Sequence, residues 1–515
     1  MTLGCRVYSP GHGGAGVCLV AHLGPYRLML DCGLSRLDPY FDLTPPADWV
    51  VCSHAHPDHA RGMLALHRGF PELPIYASEV THRLLPLNWP VEEGLSGLGT
   101  GLPWRLPVHL APDLTVELLP AGHLPGASLV WVQYQTPERV YSLLYAGNCF
   151  LANTRLTEGL RLDELRGLHP DVLILGAPAG TRKYPRRKQQ EQHLAELVVW
   201  GLSRGQRVCI VAGGIGDAQE ILLVLRTHYL LTGRPVCIGV DPVVARGCDA
   251  LWDLLAFLPA PVQNFARHQG LFWDDRVYPH SYRWRVDEPP DRFDLLLCSD
   301  LPDFIDEDCR DWWVLWPEGE PLPREVPYQT YLLQAHNDGV ATLQLIHTLR
   351  PQHLVLIHGL LPYLEDLAGL EELRNRYHVH VPSPGAWLEL PVGTWVVGPT
   401  TEPAGSYEGE LHETATGVRI ELPPTLKADP RWLPFSATGL VEARWQGDEL
   451  VLRGLTPKEV LATPPTPERS CAHCRYYRGQ RCTQPESPLM GLQVAPEGYC
   501  DAFTPKDPSA SPATA

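Results

Sequence analysis

The stretch VVCSHAHPDHARGM, residues 50–63, concentrates metal-binding side chains: His54, His56, Asp58 and His59 stand within six positions. Imidazole nitrogen and carboxylate oxygen are the usual ligands of hydrolytic zinc, at about 2.0–2.2 Å. The preceding DWVVCS reads as a strand and the following HARGMLALH as a helix, so residues 54–59 occupy a strand-to-helix loop. Such a loop can aim alternate residues in two directions. His54 and His56, two apart, can reach one ion, and Asp58 and His59 another beside it. Four ligand-type side chains at this density are rarely a solvated accident, so the stretch is read as a metal centre.

The elements that must position this loop change texture along the chain. Residues 1–180 read as short apolar strands between Gly/Pro turns, such as YRLMLDCG, LTVELLPAGH and VYSLLYAGN. From about 185 to 265, HLAELVVWGLSRG, RVCIVAGG, DAQEILLVLRTHYLLTG and PVCIGVD give the helix–strand rhythm of a parallel α/β layer. Residues 266–330 are rich in Trp, Pro and Asp and carry no motif. Strand–helix alternation resumes with GVATLQLIHTL, QHLVLIHG and LEDLAGLEELRNRYH, and residues 400–460 look β-rich. LATPPTPERS reads as a linker and PKDPSASPATA as a disordered tail. GHGGAG, residues 11–16, lacks the Lys-Ser/Thr of a phosphate loop and is followed by strand-like VCLVAHL, so it is read as a turn.

Composition bounds the function. A chain of 515 residues with 44% apolar residues supports two to four globular domains. The formal net charge of −17 argues against a broadly basic nucleic-acid binder but leaves room for a local basic groove. The one dense basic run is RKYPRRK, with Arg182, Lys183, Arg186, Arg187 and Lys188; it reads as a solvated loop or as a phosphate contact. Nothing at the start fits a signal peptide, and no apolar run approaches the ~18 residues of a membrane helix. With ten cysteines scattered in apolar contexts, a soluble, cytoplasmic protein is expected.

HxHxDH after a strand resembles the signature of the metallo-β-lactamase fold superfamily. LMLDCGL resembles its first motif, implying Asp31 as support behind the ligand loop, and AGHLPGAS its third, implying His123 beside His54 and His56. Further motifs resemble the β-CASP nuclease branch. RGQRVCIVAGGIGDAQE matches through Gly216, Ala218, Gln219 and Glu220; YLLQAHNDG implies His336, and LVLIHG implies His358. Six motifs stand in register over roughly residues 1–395. The resemblance implies an α/β fold: an αββα sandwich interrupted by an α/β β-CASP insert. It also implies two Zn2+ or other divalent ions, one on His54, His56 and His123, the other on Asp58, His59 and His358, activating a hydroxide. His336 is implied to contact the scissile phosphate or to protonate the leaving oxygen.

Two positions depart from the family pattern. Where an aspartate bridges both metals, AGNCF has Asn148, which can coordinate but brings no charge; Cys149 is the alternative one residue on, and neither serving is the third. Successive strand residues face opposite ways, which favours Asn148. Where the family has an acid, LILGAPAG has Gly176 or Ala177, directly ahead of the basic run.

The tail holds Cys471, Cys474, Cys482 and Cys500 in a C-x2-C-x7-C-x17-C spacing, a tetrathiolate pattern. Aromatic neighbours and GYCDAF resemble high-potential iron–sulfur proteins, implying a [4Fe–4S] cluster, and structural zinc explains the cysteines equally. The expected organisation is 1–185 and 331–398 as the two parts of the sandwich and 186–330 as the insert, followed by 399–460 as a β-rich extension and 461–515 as the four-cysteine module with linker and tail. The expected activity is hydrolysis of RNA or another nucleic-acid phosphodiester, with Asp58 and His336 closest to the chemistry. A catalytically weakened subunit that binds RNA or protein, and a hydrolase of small esters or phosphodiesters, are the alternatives. A homodimer or a protein partner is compatible with the family, and no membrane association is expected.

Overall fold

The computed structural model describes residues 2–37, 44–92, 98–285, 287–306 and 311–393, and beyond them 410–414, 417–421, 441–446, 449–454, 470–478, 481–485, 487, 490 and 502–505. They fall into two compact units, residues 1–394 and 395–515.

The first unit rests on three sheets. One has seven strands in the order Trp387–Pro391, Thr2–Pro10, Val17–Leu23, Tyr26–Cys32, Trp49–Val51, Ile75–Ser78 and Thr100–Leu102. The second runs His378–His380, His353–Ile357, Val172–Gly176, Val140–Ala146, Ser128–Gln135, Leu114–Pro120 and Val108–Ala111. Their facing side chains, among them Leu19, Leu28, Leu30, Val132, Leu143 and Ile174, close into one apolar core. The opposite faces, with Val20, Met29, Leu144, Leu173 and Leu354, pack under helices such as Met63–Gly69 and Gly339–Leu349. The central strands are therefore dry on both faces, which is why strands such as HLVLI read as unbroken apolar runs. This is a four-layer αββα sandwich, the architecture that the resemblance implied.

Residues between Arg187 and Tyr331 build the third sheet, six parallel strands in the order His280–Arg283, Cys237–Val240, Leu295–Cys298, Arg207–Val211, Trp312–Pro317 and Tyr328–Tyr331. Four of these six strands begin in the stretch that carries no sequence motif. They are four to six residues long, too short for a readable period.

In an open α/β sheet, ligands bind at the carboxyl ends of parallel strands. Here Tyr26–Cys32 runs parallel to Trp49–Val51, and Val140–Ala146, Val172–Gly176 and His353–Ile357 run parallel to one another. Their ends deliver Asp31, the loop 53–59, Asn148, Gly176 and His358 to one edge of the sandwich. The insert's Arg207–Val211 ends in the glycine-rich turn 213–216, which packs against the same edge.

In the second unit, Glu410–Thr414 pairs with Gly417–Glu421 and Val441–Gln446 with Glu449–Gly454 as antiparallel hairpins, and Tyr477–Arg478 pairs with Arg481–Cys482. Among the described residues no helix is long and apolar enough to cross a membrane.

Arg187 ties the insert to the rest of the first unit. Its guanidinium lies 3.2 Å from Glu220 and 3.4 Å from Glu191 and donates to the Gln334 carbonyl at 2.6 Å. Removing one member of a buried pair strands the other charge, at a cost of about 3–5 kcal/mol. Arg187→Met is therefore expected to lower unfolding free energy by about that amount, read by denaturant titration.

Candidate metal centre

The ligand loop is held by Asp31, which is fully buried and sits at φ 62°, in the left-handed region. Its Oδ1 accepts from the Ser53 amide at 2.6 Å. Its Oδ2 accepts from Ser53 Oγ at 2.7 Å, His59 Nδ1 at 2.7 Å and Tyr145 Oη at 2.6 Å. Tyr145 comes from the second sheet, so this one carboxylate joins both sheets and the loop. Sequence reasoning missed Ser53 and Tyr145 as partners, and an apolar strand such as VYSLLYA gives no local sign that its tyrosine serves a buried acid.

The structure brings six of the expected ligands into two groups. The ligand atoms of His54, His56 and His123 lie within 4.8 Å of one another, as do those of Asp58, His59 and His358. Among the described residues no other set of three does so. The hydrogen bonds made by the far side of each ring decide which nitrogen faces inward. His56 Nε2 donates to the Ile215 carbonyl at 3.0 Å and His123 Nδ1 to the Ala335 carbonyl at 2.8 Å. Ser53 Oγ, already donating to Asp31, accepts from His54 Nδ1 at 3.0 Å.

His56 Nδ1 and His123 Nε2 are thus left lone pair to lone pair at 3.1 Å, an arrangement that calls for a cation. In the second group Asp58 Oδ2 lies 3.5 Å from His59 Nε2 and 3.7 Å from His358 Nδ1. Buried polar atoms are normally satisfied, yet among the described residues Asn148 Oδ1, His336 Nε2 and His358 Nδ1 have no hydrogen-bond partner. The donor set and these orphaned atoms fit two divalent cations.

The electrostatics agree with that fit. Burial, followed by the crowding of neighbouring rings, holds His54 and His123 well below the ordinary histidine range. Burial lowers His358 to about 4 and His336 to about 3. These rings are neutral near pH 7, the form that binds metal. Burial opposes the charge on Asp58, but the His59 and His358 rings outweigh it and keep the carboxylate ionised.

Asn148 stands between the two groups. Its Nδ2 is 3.2 Å from His59 Nε2 and 3.5 Å from His54 Nε2; turned about its last bond, the amide sets its oxygen between the same nitrogens. Cys149 faces away. It is buried, takes a hydrogen bond from Asn337 Nδ2 at 3.3 Å, and burial pushes its thiol up to about 12. The two departures from the family pattern touch. A Cβ on Gly176 would lie 1.7 Å from the Gly147 carbonyl and 3.0 Å from Asn148 Oδ1, so no acid fits there while Asn148 keeps its place.

His336 lies over both groups, its ring centroid 4.5 Å from His123 and 5.9 Å from His358. In the basic run, Arg182, Lys183 and Arg186 are exposed, with Arg182 stacked 4.2 Å over the Tyr363 ring. Arg187 departs from the expected phosphate contact. It is 8% exposed, and its guanidinium is taken up by Glu191, Glu220 and the Gln334 carbonyl, so it holds the loop that carries His336. In the tail, Cys471, Cys474 and Cys482 are buried, and Cys500 lies outside the described residues.

Replacing Asp31 by Asn removes the charged acceptor behind His59. Affinity for the ion on Asp58, His59 and His358 is expected to fall about 10–100-fold, measured by chelator competition. Gly176→Asp is expected to destabilise the fold by about 3 kcal/mol through overpacking and to lower bound metal, despite adding a carboxylate. Thermal unfolding and elemental analysis check it.

Residues 26–195 match the Beta-lactamase superfamily domain. The uncharacterized protein sll0514 of Synechocystis sp. is 43% identical over 530 aligned positions, covering 96% of each chain. The probable RNase MJ4 of Methanocaldococcus jannaschii is 26% identical over 41% of this chain and 54% of its own. Ribonuclease TTHA0252 of Thermus thermophilus is 29% identical over 47% of this chain and 60% of its own. The chain thus spans little more than half the length of these two ribonucleases. With its sandwich, its ligand loop and a relative alike from end to end, the chain carries a metallo-β-lactamase superfamily domain and belongs to one full-length family with the Synechocystis protein.

Proposed function

We propose that this protein is a metal-dependent phosphodiesterase of the β-CASP type that cleaves RNA. The observation that carries the reading is the pair of three-residue ligand groups at one sheet edge, with His336 set over both. Two divalent cations bound there would lower the pKa of a water and draw negative charge from a phosphate. His54, His56 and His123 would hold one ion, and Asp58, His59 and His358 the other. His336 contacts the scissile phosphate, and exposed Arg182, Lys183 and Arg186 meet the flanking backbone.

Room for an extended substrate supports RNA over a small ester. A cavity of about 320 Å³, lined by Trp104, Arg105 and Phe257, shares Leu124, Pro125, Leu156 and Thr157 with the smaller hollow beside His56 and His123. The ribonuclease names of two partial relatives point the same way.

Asn148 favours a second reading, a binding subunit with weakened catalysis, because an uncharged bridge leaves the two cations less compensated. In the tail, the four cysteines would hold zinc or a [4Fe–4S] cluster. Elemental analysis of fresh protein is expected to show two zinc equivalents beyond any held by the tail, with iron reporting a cluster. Metal-loaded protein should cut single-stranded RNA, and His56→Ala should abolish the cleavage. No cleavage by wild type, with activity appearing in Asn148→Asp, would establish the binding-subunit reading instead.

A further inference from the structure

The cysteine-bearing tail departs from the acidic balance of the chain. Residues 470–485 hold three arginines and no Asp or Glu, although the formal net charge of the whole is −17. Arg475, Arg478 and Arg481 are exposed, while Cys471, Cys474 and Cys482 are buried. Tyr477–Arg478 and Arg481–Cys482 form an antiparallel hairpin, with Tyr477 opposite Cys482 and Arg478 opposite Arg481. Side chains alternate between the two faces of a strand, and directly opposed residues share a face. One face therefore carries Tyr477 with a buried cysteine, and the other carries the two arginines side by side. Like charges directly opposite one another are destabilising, and an anion set between them relieves the repulsion.

The backbone around this hairpin is tied down. The Tyr476 carbonyl accepts from the Thr483 amide at 2.9 Å and from Thr483 Oγ1 at 2.8 Å, which carries the pairing one residue beyond the strands. By alternation, half-buried Tyr476 falls on the face of Arg478 and Arg481. The Arg475 amide donates to the Thr504 carbonyl at 2.8 Å, and Cys474 pairs with Pro505 in an isolated bridge. Buried Gln484 donates from Nε2 to the Ala502 carbonyl at 3.0 Å and to Thr504 Oγ1 at 3.1 Å. Both arms of the hairpin thus lean on residues 502–505, and the arginines project from a fixed base.

Exposed guanidiniums beside an aromatic ring fit a single nucleic-acid strand. The cations meet phosphates, and the ring stacks on a base without regard to sequence. We propose that this hairpin is a binding surface for single-stranded RNA, with Arg475, Arg478 and Arg481 on phosphates and Tyr476 stacked on a base. The choice of RNA as occupant rests on the cleaving reading above. On an acidic chain such an anchor offsets the general repulsion of a polyanion.

The test titrates full-length protein into fluorescein-labelled single-stranded RNA over a range of salt concentrations, in the His56→Ala background so that the strand survives. Each phosphate contact on a single strand contributes about 0.7 to the slope of log affinity against log salt. Arg475→Gln, Arg478→Gln and Arg481→Gln together are expected to reduce that slope by about 2 and the affinity at low salt by about 10-fold or more. Lysine at the same three positions keeps the charge and should restore the slope. Tyr476→Ala is expected to lose about 5-fold or more on RNA and less than about 2-fold on inorganic polyphosphate, which has no base to stack. Thermal unfolding and metal content should match the parent protein. An unchanged slope in the glutamine variant, a slope that lysine does not restore, or equal losses of Tyr476→Ala on both polyanions would overturn the assignment. Cleavage is followed separately with native His56. RNA held at this surface but left uncut would sink the ribonuclease reading alone, and cleavage with an unchanged salt slope in the glutamine variant would sink this one alone.

Discussion

A single buried carboxylate organises the site. Asp31 takes four hydrogen bonds with no exposure to water, and its donors come from the ligand loop and from the facing sheet. A charge with four short donors is well satisfied in the interior, and the low dielectric that would punish it alone strengthens each bond. Its left-handed backbone costs on the order of 1–3 kcal/mol, offset by those bonds. Asp31 directs His59 through its Nδ1 and His54 through Ser53, so one group reaches into both ligand sets.

The ligand loop and its partners were legible because metal chemistry demands particular side chains at short spacing. His54, His56, Asp58 and His59 announce themselves in six positions, and the resemblance extended the set to His123 and His358. The insert's strands were not legible. LLLC is buried throughout, and both it and WWVLWP are too short to show a period. The reading of Arg187 failed for a related reason. In sequence it is one cation in a basic run, and only the fold shows that Glu191, Glu220 and a carbonyl surround it. Nor could sequence show that Asn148 and Gly176, twenty-eight positions apart, adjoin; parallel pairing of Ala146 with Leu175 makes them neighbours.

That adjacency makes the two departures one rearrangement. With Gly176 bare of a side chain, the backbone of Gly147 closes over it, and Asn148 keeps its amide between His54 and His59. The acid lost at one position therefore has no room to return unless the other moves as well. The centre keeps its imidazoles and carries less negative charge than a site with a carboxylate at position 148 would.

The tautomers of His56 and His123 are set by carbonyls distant in sequence, Ile215 in the insert and Ala335 in the returning segment. If insert and sandwich part, both rings lose the acceptors that turn their lone pairs inward. Closure of the two lobes and occupancy of the first ion site are therefore thermodynamically linked, and each must favour the other by the same factor. An ion held by His54, His56 and His123 would therefore also hold the insert's turn against the sandwich edge.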